Sequence, residues 1–252
     1  MKVLLVGNSS IYFNNMPAML ETIGHENGID IKTKLIAFGG YTLEDHLYDG
    51  IVEKALDSAK WDFVVLNEQS TLGSKYVVDG IPRVKENTTF YESVRKFDLK
   101  IKKNGARTVI ISLYPRRHAP EIDGLLLNYC YMKIANKLQS IIAPVSYTWS
   151  DIMKEREDWQ LYREDNLHPT SLGSFVTATV LFSTLSGKKS RVFNKMVVGN
   201  LIDDFDGYIQ RDSLVDLIKI DQQTVSLISK MAFKNVDSLS KSGGYFKVSL
   251  PD

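Results

Sequence analysis

Two short segments of this chain hold the residue types that nucleophilic chemistry at a hydroxyl needs. Near the amino end, Val3-Leu4-Leu5-Val6 runs into Gly7-Asn8-Ser9-Ser10. Far along the chain, Asp165-Asn166-Leu167-His168-Pro169 sets a carboxylate and an imidazole three residues apart. A serine hydroxyl is a poor nucleophile at neutral pH. It needs a base to take its proton, and the base needs a carboxylate to orient it. In a turn, the Asp165 carboxylate can reach Nδ1 of His168 while Nε2 faces away. Each segment also has a plain structural reading. Ser9 caps a helix, and Asp165 caps a turn beside a solvated His168. Taken singly, these plain readings are the commoner ones, so the case for chemistry rests on a fold that brings the two segments together.

The pattern of elements supplies such a fold. Residues 2–6, 31–37, 62–67, 108–113 and 144–147 are predicted strands. Residues 14–25, 43–59, 85–103, 125–142, 150–159 and 170–185 are predicted helices. Strands rich in Val, Ile and Leu on both faces suit a parallel sheet covered by helices on each side. Repeated strand–helix alternation predicts a doubly wound, three-layer α/β/α domain with a mainly parallel five-stranded sheet. In such sheets, sites form beyond the carboxyl ends of the strands. Chemistry is therefore expected in the loops after Val6, Ala37, Leu66 and Leu113.

Composition narrows the classes. A chain of 252 residues, 44% of them hydrophobic, has room for one large buried core. A net charge of +1 provides no broad field for nucleic acid or an anionic membrane surface. Cys130 is the only cysteine, which rules out an internal disulfide and argues against a cysteine metal site. His25, His46 and His118 are scattered without metal-ligand spacing, so no metal and no cofactor is expected. The loop at Gly7 lacks the later glycines of a dinucleotide site, and no phosphate-loop motif occurs, which disfavours a nucleotide-binding protein. The first apolar run is too short for a signal-peptide core, and no window has the apolar length of a membrane helix. The default expectation is a cytoplasmic protein.

The two segments together resemble the SGNH hydrolases, the GDSL-type esterase and lipase superfamily. Gly7-Asn8-Ser9 is similar to the superfamily's Gly-Asp-Ser, with Asn in place of Asp. Asp165-Asn166-Leu167-His168-Pro169 is similar to its Asp-x-x-His. The resemblance spans roughly residues 2–185 and implies a flavodoxin-like fold. It implies Ser9 as nucleophile, His168 as general base and then acid, and Asp165 as orienter. It also implies an oxyanion hole built from the Ser9 N–H, a glycine after strand two and an asparagine after strand three. Gly40 is the better match for the glycine. After strand three this chain has Asn67-Glu68-Gln69-Ser70 where the superfamily has Gly-x-Asn-Asp. Gln69 occupies the asparagine's place, or Asn67 does if the loop is shifted by two. These departures, with Asn14-Asn15-Met16-Pro17, point to a divergent Gly-Asn-Ser subgroup.

The activity implied is hydrolysis of a carboxylic ester through an acyl-serine intermediate, with acetyl on a carbohydrate as the expected substrate. An O-acyltransferase using the same triad and a non-catalytic carbohydrate-binding protein are the alternatives. Arg116 and Arg117, in Tyr114-Pro115-Arg116-Arg117-His118 after strand four, are candidates for holding an anionic sugar or carboxylate; the competing reading is a solvated basic loop. His46 either buttresses the glycine loop or lies on a helix surface. Trp61, Trp149 and Trp159 are read as packing rather than as a sugar platform. Residues 1–187 form the expected catalytic domain. Residues 188–252 are expected as a helical extension packed on it, with 212–220 and 224–233 as helical segments. That extension is read as part of the domain, a lid or a homo-oligomer contact.

Overall fold

Val3, Leu4, Leu5 and Val6 are completely buried, on both faces of their strand. A strand of this kind needs helices above and below it, and the computed structural model has them. It describes residues 1–191 and 195–242. The first half runs β1 (Lys2–Gly7), α1 (Ser9–Tyr12), a 3-10 turn (Phe13–Asn15), α2 (Met16–Glu26), β2 (Lys32–Ala37), α3 (Leu43–Asp49), α4 (Ile51–Ser58), β3 (Phe63–Leu66), β4 (Val77–Val78), β5 (Ile81–Pro82) and α5 (Thr88–Asn104). The second half runs β6 (Arg107–Ile111), α6 (Glu121–Leu138), β7 (Ile141–Ala143), α7 (Val145–Glu155), α8 (Ser171–Ser186), β8 (Lys195–Ile202), β9 (Ile209–Ile220) and α9 (Gln222–Lys241).

Five strands form one parallel sheet in the order β2-β1-β3-β6-β7, with Leu4 paired to Val64 and Val64 to Thr108. The chain winds outwards from β1 in both directions. The carboxyl ends of β1 and β3 therefore flank the switch point, where an open α/β sheet leaves a crevice. Helices α3, α4, α5 and α6 pack among themselves, and α2, α7, α8 and α9 pack as a second group. Helix α8 is buried on nearly every side, from Phe175 to Leu185. That suits a helix covered by the sheet on one side and by the tail on the other.

The fifth strand lies earlier than residues 144–147. It is Ile141–Ala143, and the predicted strand residues open α7 instead. Pro144 has no N–H for a ladder, and its fixed φ suits a helix entry. The preceding helix accordingly spans Glu121–Leu138 rather than 125–142, with Glu121 and Asp123 in its first turn where acids suit the dipole. The 43–59 helix is divided in two by Gly50, whose φ of 66° is left-handed.

The larger correction is in the tail. Residues 212–220 are not helical; they belong to β9, which forms an antiparallel hairpin with β8. Register shifts between Val197 and Val198, and between Asn200 and Leu201, break the two-residue alternation that would mark the strands. Among the described residues, the extension is thus a hairpin followed by one long helix. No described helix is long and apolar enough to cross a membrane.

Candidate active site

Gly7 ends β1 where the chain passes close to β3. A Cβ on Gly7 would stand 2.8 Å from the Cβ of Asn67, so only glycine fits without a shift. Asn8 then caps α1. Its side-chain oxygen accepts the Ser10 N–H at 3.1 Å, and its amide donates to the Tyr41 carbonyl at 3.0 Å. The capping role is therefore filled by Asn8. Ser9 is left as the first helical residue, with a backbone N–H that has no intrahelical acceptor.

The structure brings Ser9, His168 and Asp165 into one hydrogen-bonded chain. Ser9 Oγ lies 2.9 Å from His168 Nε2, and Asp165 Oδ2 lies 2.7 Å from His168 Nδ1. A carboxylate accepts, so Nδ1 carries the ring proton and Nε2 offers its lone pair to the serine hydroxyl. Asp165 Oδ1 accepts the N–H groups of Leu167 and His168, each at 2.9 Å. Burial works to raise the Asp165 carboxyl, but these backbone bonds and the His168 ring outweigh it and hold the group below its ordinary range. The turn that does this needs Asn166 at a φ of 59°, a conformation asparagine tolerates well.

The two halves of this chain are 156 residues apart in sequence, and the segment after α1 fastens them. The Phe13 ring stacks on the His168 imidazole, with centroids 4.2 Å apart. The Asn14 amide donates to the Pro169 carbonyl at 3.0 Å and to Ser174 Oγ at 2.9 Å. Asn14 and Asn15 are both left-handed, with φ of 55° and 50°. Two such residues in succession swing the chain from α1 into α2 and turn the Asn14 side chain towards α8.

The glycine turn and the loop after β3 meet each other, and the Asn8 side chain ties both to the nucleophile turn. Gly39 and Gly40 are the central residues of a turn closed by Tyr41 N–H to Phe38 O at 3.2 Å, and Gly40 has a φ of 72°. That φ favours glycine in the third turn position. The Gly40 N–H stands outside the closing bond. Gln69 Nε2 donates to the Gly40 carbonyl, leaving the second amide hydrogen free for another acceptor. Asn67 is placed differently. It is completely buried, and its amide donates to Asn8 Oδ1 at 3.2 Å, beneath the nucleophile turn.

Two further residues hold these loops: Glu68, which does not stand out in the sequence, and His46, which takes the buttressing role rather than a place on a helix surface. Glu68 is buried. Its carboxyl oxygens accept the Gln69 N–H at 2.8 Å and the Leu43 N–H at 3.0 Å, which joins the β3 loop to the start of α3. Burial pushes its pKa up to about 7, against those two hydrogen bonds. His46 is also buried. Its Nε2 lies 2.7 Å from the Gly7 carbonyl, so this nitrogen carries the proton, and burial lowers the pKa of the ring. It buttresses the nucleophile turn from below; its Tyr41 and Phe38 neighbours are the aromatics of the glycine turn. The sequence signal was there in Asn67-Glu68-Gln69 and in His46 soon after the glycines, but burial is a tertiary property.

A cavity of about 700 Å³ opens on the imidazole, lined by Phe13, Arg163, Glu164, Asp165, His168 and Asp204. Its arginine is Arg163, which the sequence reading did not single out. Arg116 is partly buried and donates to Ser70 Oγ at 3.3 Å, and Arg117 uses its backbone N–H to hold the Asn166 carbonyl at 2.9 Å. Neither lines this cavity. Trp149 is fully buried against Tyr114, whereas His25 and His118 are exposed. Among the described residues, no group of three His, Cys, Asp or Glu side chains is placed to hold a metal ion.

Solved structures share the fold of this sheet and its helices. A psychrotrophic esterase, EstA, from Pseudoalteromonas sp., solved in a form inhibited by monoethylphosphonate, superposes with a TM-score of 0.56 at 15% identity, over 74% of this chain and 97% of that one. The fold is that of the SGNH hydrolases. An acetyl xylan esterase, AlAXEase, gives a TM-score of 0.59 at 14% identity, over 73% of this chain and 98% of its own. A DUF4886 family protein from Bacteroides uniformis gives 0.61 at 16% identity, over 94% of each chain. A match of that extent takes in part of the region beyond position 188, which this SGNH-fold chain adds to its sheet. No protein-family model and no curated protein matches the sequence.

Proposed function

We propose that this chain is a serine esterase that removes a small acyl group, acetyl, from a carbohydrate. The observation that carries the reading is the continuous hydrogen-bonded chain from Ser9 Oγ through His168 to Asp165. Acetyl xylan esterases among its structural counterparts support the choice of substrate.

In the first half-reaction, Ser9 Oγ attacks the ester carbonyl as Nε2 of His168 takes its proton. Asp165 keeps Nδ1 protonated and stabilises the imidazolium that forms. The carbonyl oxygen gains negative charge, and the N–H groups of Ser9 and Gly40, with the free amide hydrogen of Gln69, receive it. The C–O bond to the alcohol then breaks. His168 returns the proton to the leaving alkoxide, and acyl-Ser9 remains. Water enters, loses a proton to His168, and attacks the acyl carbon. The carboxylic acid leaves and the proton goes back to Ser9. Asn67, whose amide is bonded to Asn8, supports the nucleophile turn rather than the oxyanion.

The test is hydrolysis of 4-nitrophenyl acetate by wild type, Ser9→Ala and His168→Ala, with fluorophosphonate labelling of each. The expected result is turnover and labelling in wild type, and a loss of kcat of about 10⁴-fold or more in both variants. Full rate in either variant overturns the assignment. A wild type inert to both reagents favours the non-catalytic carbohydrate-binding reading. Acyl products recovered on an added sugar, in place of free acid, would make the chain an acyltransferase.

A further inference from the structure

The turn of the β8–β9 hairpin reaches this site from outside the sheet. Tyr12, on the helix that starts at Ser9, donates its hydroxyl to the Asp204 carbonyl at 3.0 Å. A Cβ on Gly39 would stand 2.5 Å from the Phe205 carbonyl oxygen, and one on Gly207 would stand 2.9 Å from the Ala37 carbonyl oxygen. On its other flank, the Asp204 carboxylate pairs with Arg163 at 2.6 Å, and Asp204 borders the cavity that holds His168. One six-residue turn therefore touches the nucleophile helix, the glycine turn and the imidazole side of the same site.

The turn also holds its own shape. Asp203 Oδ1 accepts the N–H groups of Phe205 and Asp206, the Asp203 carbonyl accepts the Gly207 N–H, and Asp206 Oδ1 accepts the Tyr208 N–H. Such a network fixes the backbone without help from a core. On this rigid turn Phe205 is 90% exposed and Tyr208 67%. The Phe205 ring is thus held out in water on a turn that contacts the glycine turn, with carboxylates at 203, 204 and 206 beside it, while Tyr208 lines a separate cleft with Ile36, Ala37 and Ile51.

We propose that residues 203–208 form a substrate-binding lip, with Phe205 as the stacking platform for a sugar ring in the alcohol part of the ester. A flat apolar ring matches the C–H face of a pyranose, and carboxylates accept from its hydroxyls. With Asp204 paired to Arg163, the Asp203 and Asp206 carboxylates leave the lip net negative and oppose an anionic alcohol, so the lip selects a neutral carbohydrate. The proposal rests on the esterase reading and adds the residue that sets its specificity. Because the turn belongs to the hairpin, the tail that follows the α/β sheet becomes part of the substrate site.

The test compares acetylated xylotriose with 4-nitrophenyl acetate for wild type, Phe205→Ala and Phe205→Trp. The expected result is that the ratio of the two kcat/KM values, sugar over small ester, falls at least tenfold in Phe205→Ala, through KM for the sugar. Phe205→Trp should restore the ratio, which a merely structural role would not do. Phe205 is exposed, so both variants should melt with wild type. An unchanged ratio in Phe205→Ala overturns the lip while the esterase reading stands. So does a wild type that cleaves only the small ester. A wild type inert on both substrates overturns the esterase reading and the lip with it.

Discussion

The Phe13 ring lies 3° from parallel with the His168 imidazole and 4.2 Å from it, centroid to centroid. Phe13 is itself 4% exposed, and the Arg163 guanidinium lies over its ring, 5.1 Å from the centroid. The imidazole therefore has its plane set by packing and its in-plane rotation set by Asp165. Phe13→Ala should leave the three triad groups in place chemically but loosen the angle at which Nε2 meets Ser9. Misplacement of this order costs about 10²-fold in rate. Steady-state kinetics on 4-nitrophenyl acetate should show a fall in kcat with KM little changed. An unaltered kcat would remove Phe13 from the positioning machinery.

Asn14 should matter through two separable properties. Its side chain ties the nucleophile segment to Pro169 and Ser174, and its backbone sits at a φ of 55°. Asn14→Gly keeps the backbone freedom and removes the tie. Losing hydrogen bonds at this partly buried site should cost about 1–3 kcal/mol, read as a lower urea midpoint. Asn14→Ala adds the strain of a left-handed alanine, about 1 kcal/mol more. Equal midpoints for the two variants would show that the backbone conformation carries no cost.

Much of this arrangement is legible in the amino-acid sequence. Ser9 and the Asp165–His168 pair could be paired because a hydroxyl nucleophile demands a base and a carboxylate, and because both segments flank elements of one α/β pattern. Gly40 is readable from its place after a strand. Glu68 is not, since it owes its role to burial, which no local spacing encodes; for His46 the sequence leaves buttress and helix surface open, and burial decides for the buttress. Phe13 stacks on a residue more than 150 positions away, and Arg163, part of the Asp165–His168 turn, meets Asp204 of a hairpin 41 positions on. Within the hairpin, residues 212–220 of the second strand read as helix in the sequence. Leu214, Val215, Leu217 and Ile218 fit a helical stripe as well as a bulged strand, and only pairing with β8 decides between them. Asp206-Gly207 was the local signal that could have marked its turn.

Gln69 and Asn67 should separate in their effects. Gln69 has an amide hydrogen directed to the Gly40 carbonyl and another to spare. Gln69→Ala should lower kcat by about 10²–10³-fold, the usual cost of one oxyanion donor. Asn67 is buried with its amide on Asn8. Asn67→Ala should act first on stability, by about 1–3 kcal/mol, seen as a lower denaturation midpoint. A larger fall in kcat for Asn67→Ala than for Gln69→Ala, in protein that is still folded, would reverse the two roles.

Asp165→Asn tests the orienting carboxylate. An amide in that place presents a donor as readily as an acceptor, so the ring can turn its protonated nitrogen towards Ser9. A loss of about 10⁴-fold in kcat is expected from the wrong tautomer. Retained burst labelling by fluorophosphonate at the wild-type rate would show that Asp165 does not set the tautomer.

Glu68 makes stability depend on pH in a direction opposite to most carboxylates. Burial, with a smaller contribution from Asp45 and Glu44, raises its pKa from 4.5 to about 7 in the folded chain. The folded state then binds more protons than the unfolded state between those values, so stability falls as pH rises through that window and is level above it. The loss is on the order of 3 kcal/mol once Glu68 is ionised. His46 works the other way. Burial lowers its pKa below 6.5, so its contribution is present above 6.5 and is lost as pH falls through the folded value. The two trends overlap, and wild type alone would not resolve them. Glu68→Gln removes only the first, while leaving one of the Leu43 and Gln69 N–H groups without its oxygen. Urea denaturation of both proteins at pH 5 and pH 8 should therefore show wild type more stable than the variant at the lower pH. Its advantage should shrink by about 2.5 kcal/mol at the higher pH. A difference that stays constant between the two would mean that Glu68 is ionised throughout, and that the bonds from Leu43 and Gln69 outweigh its burial.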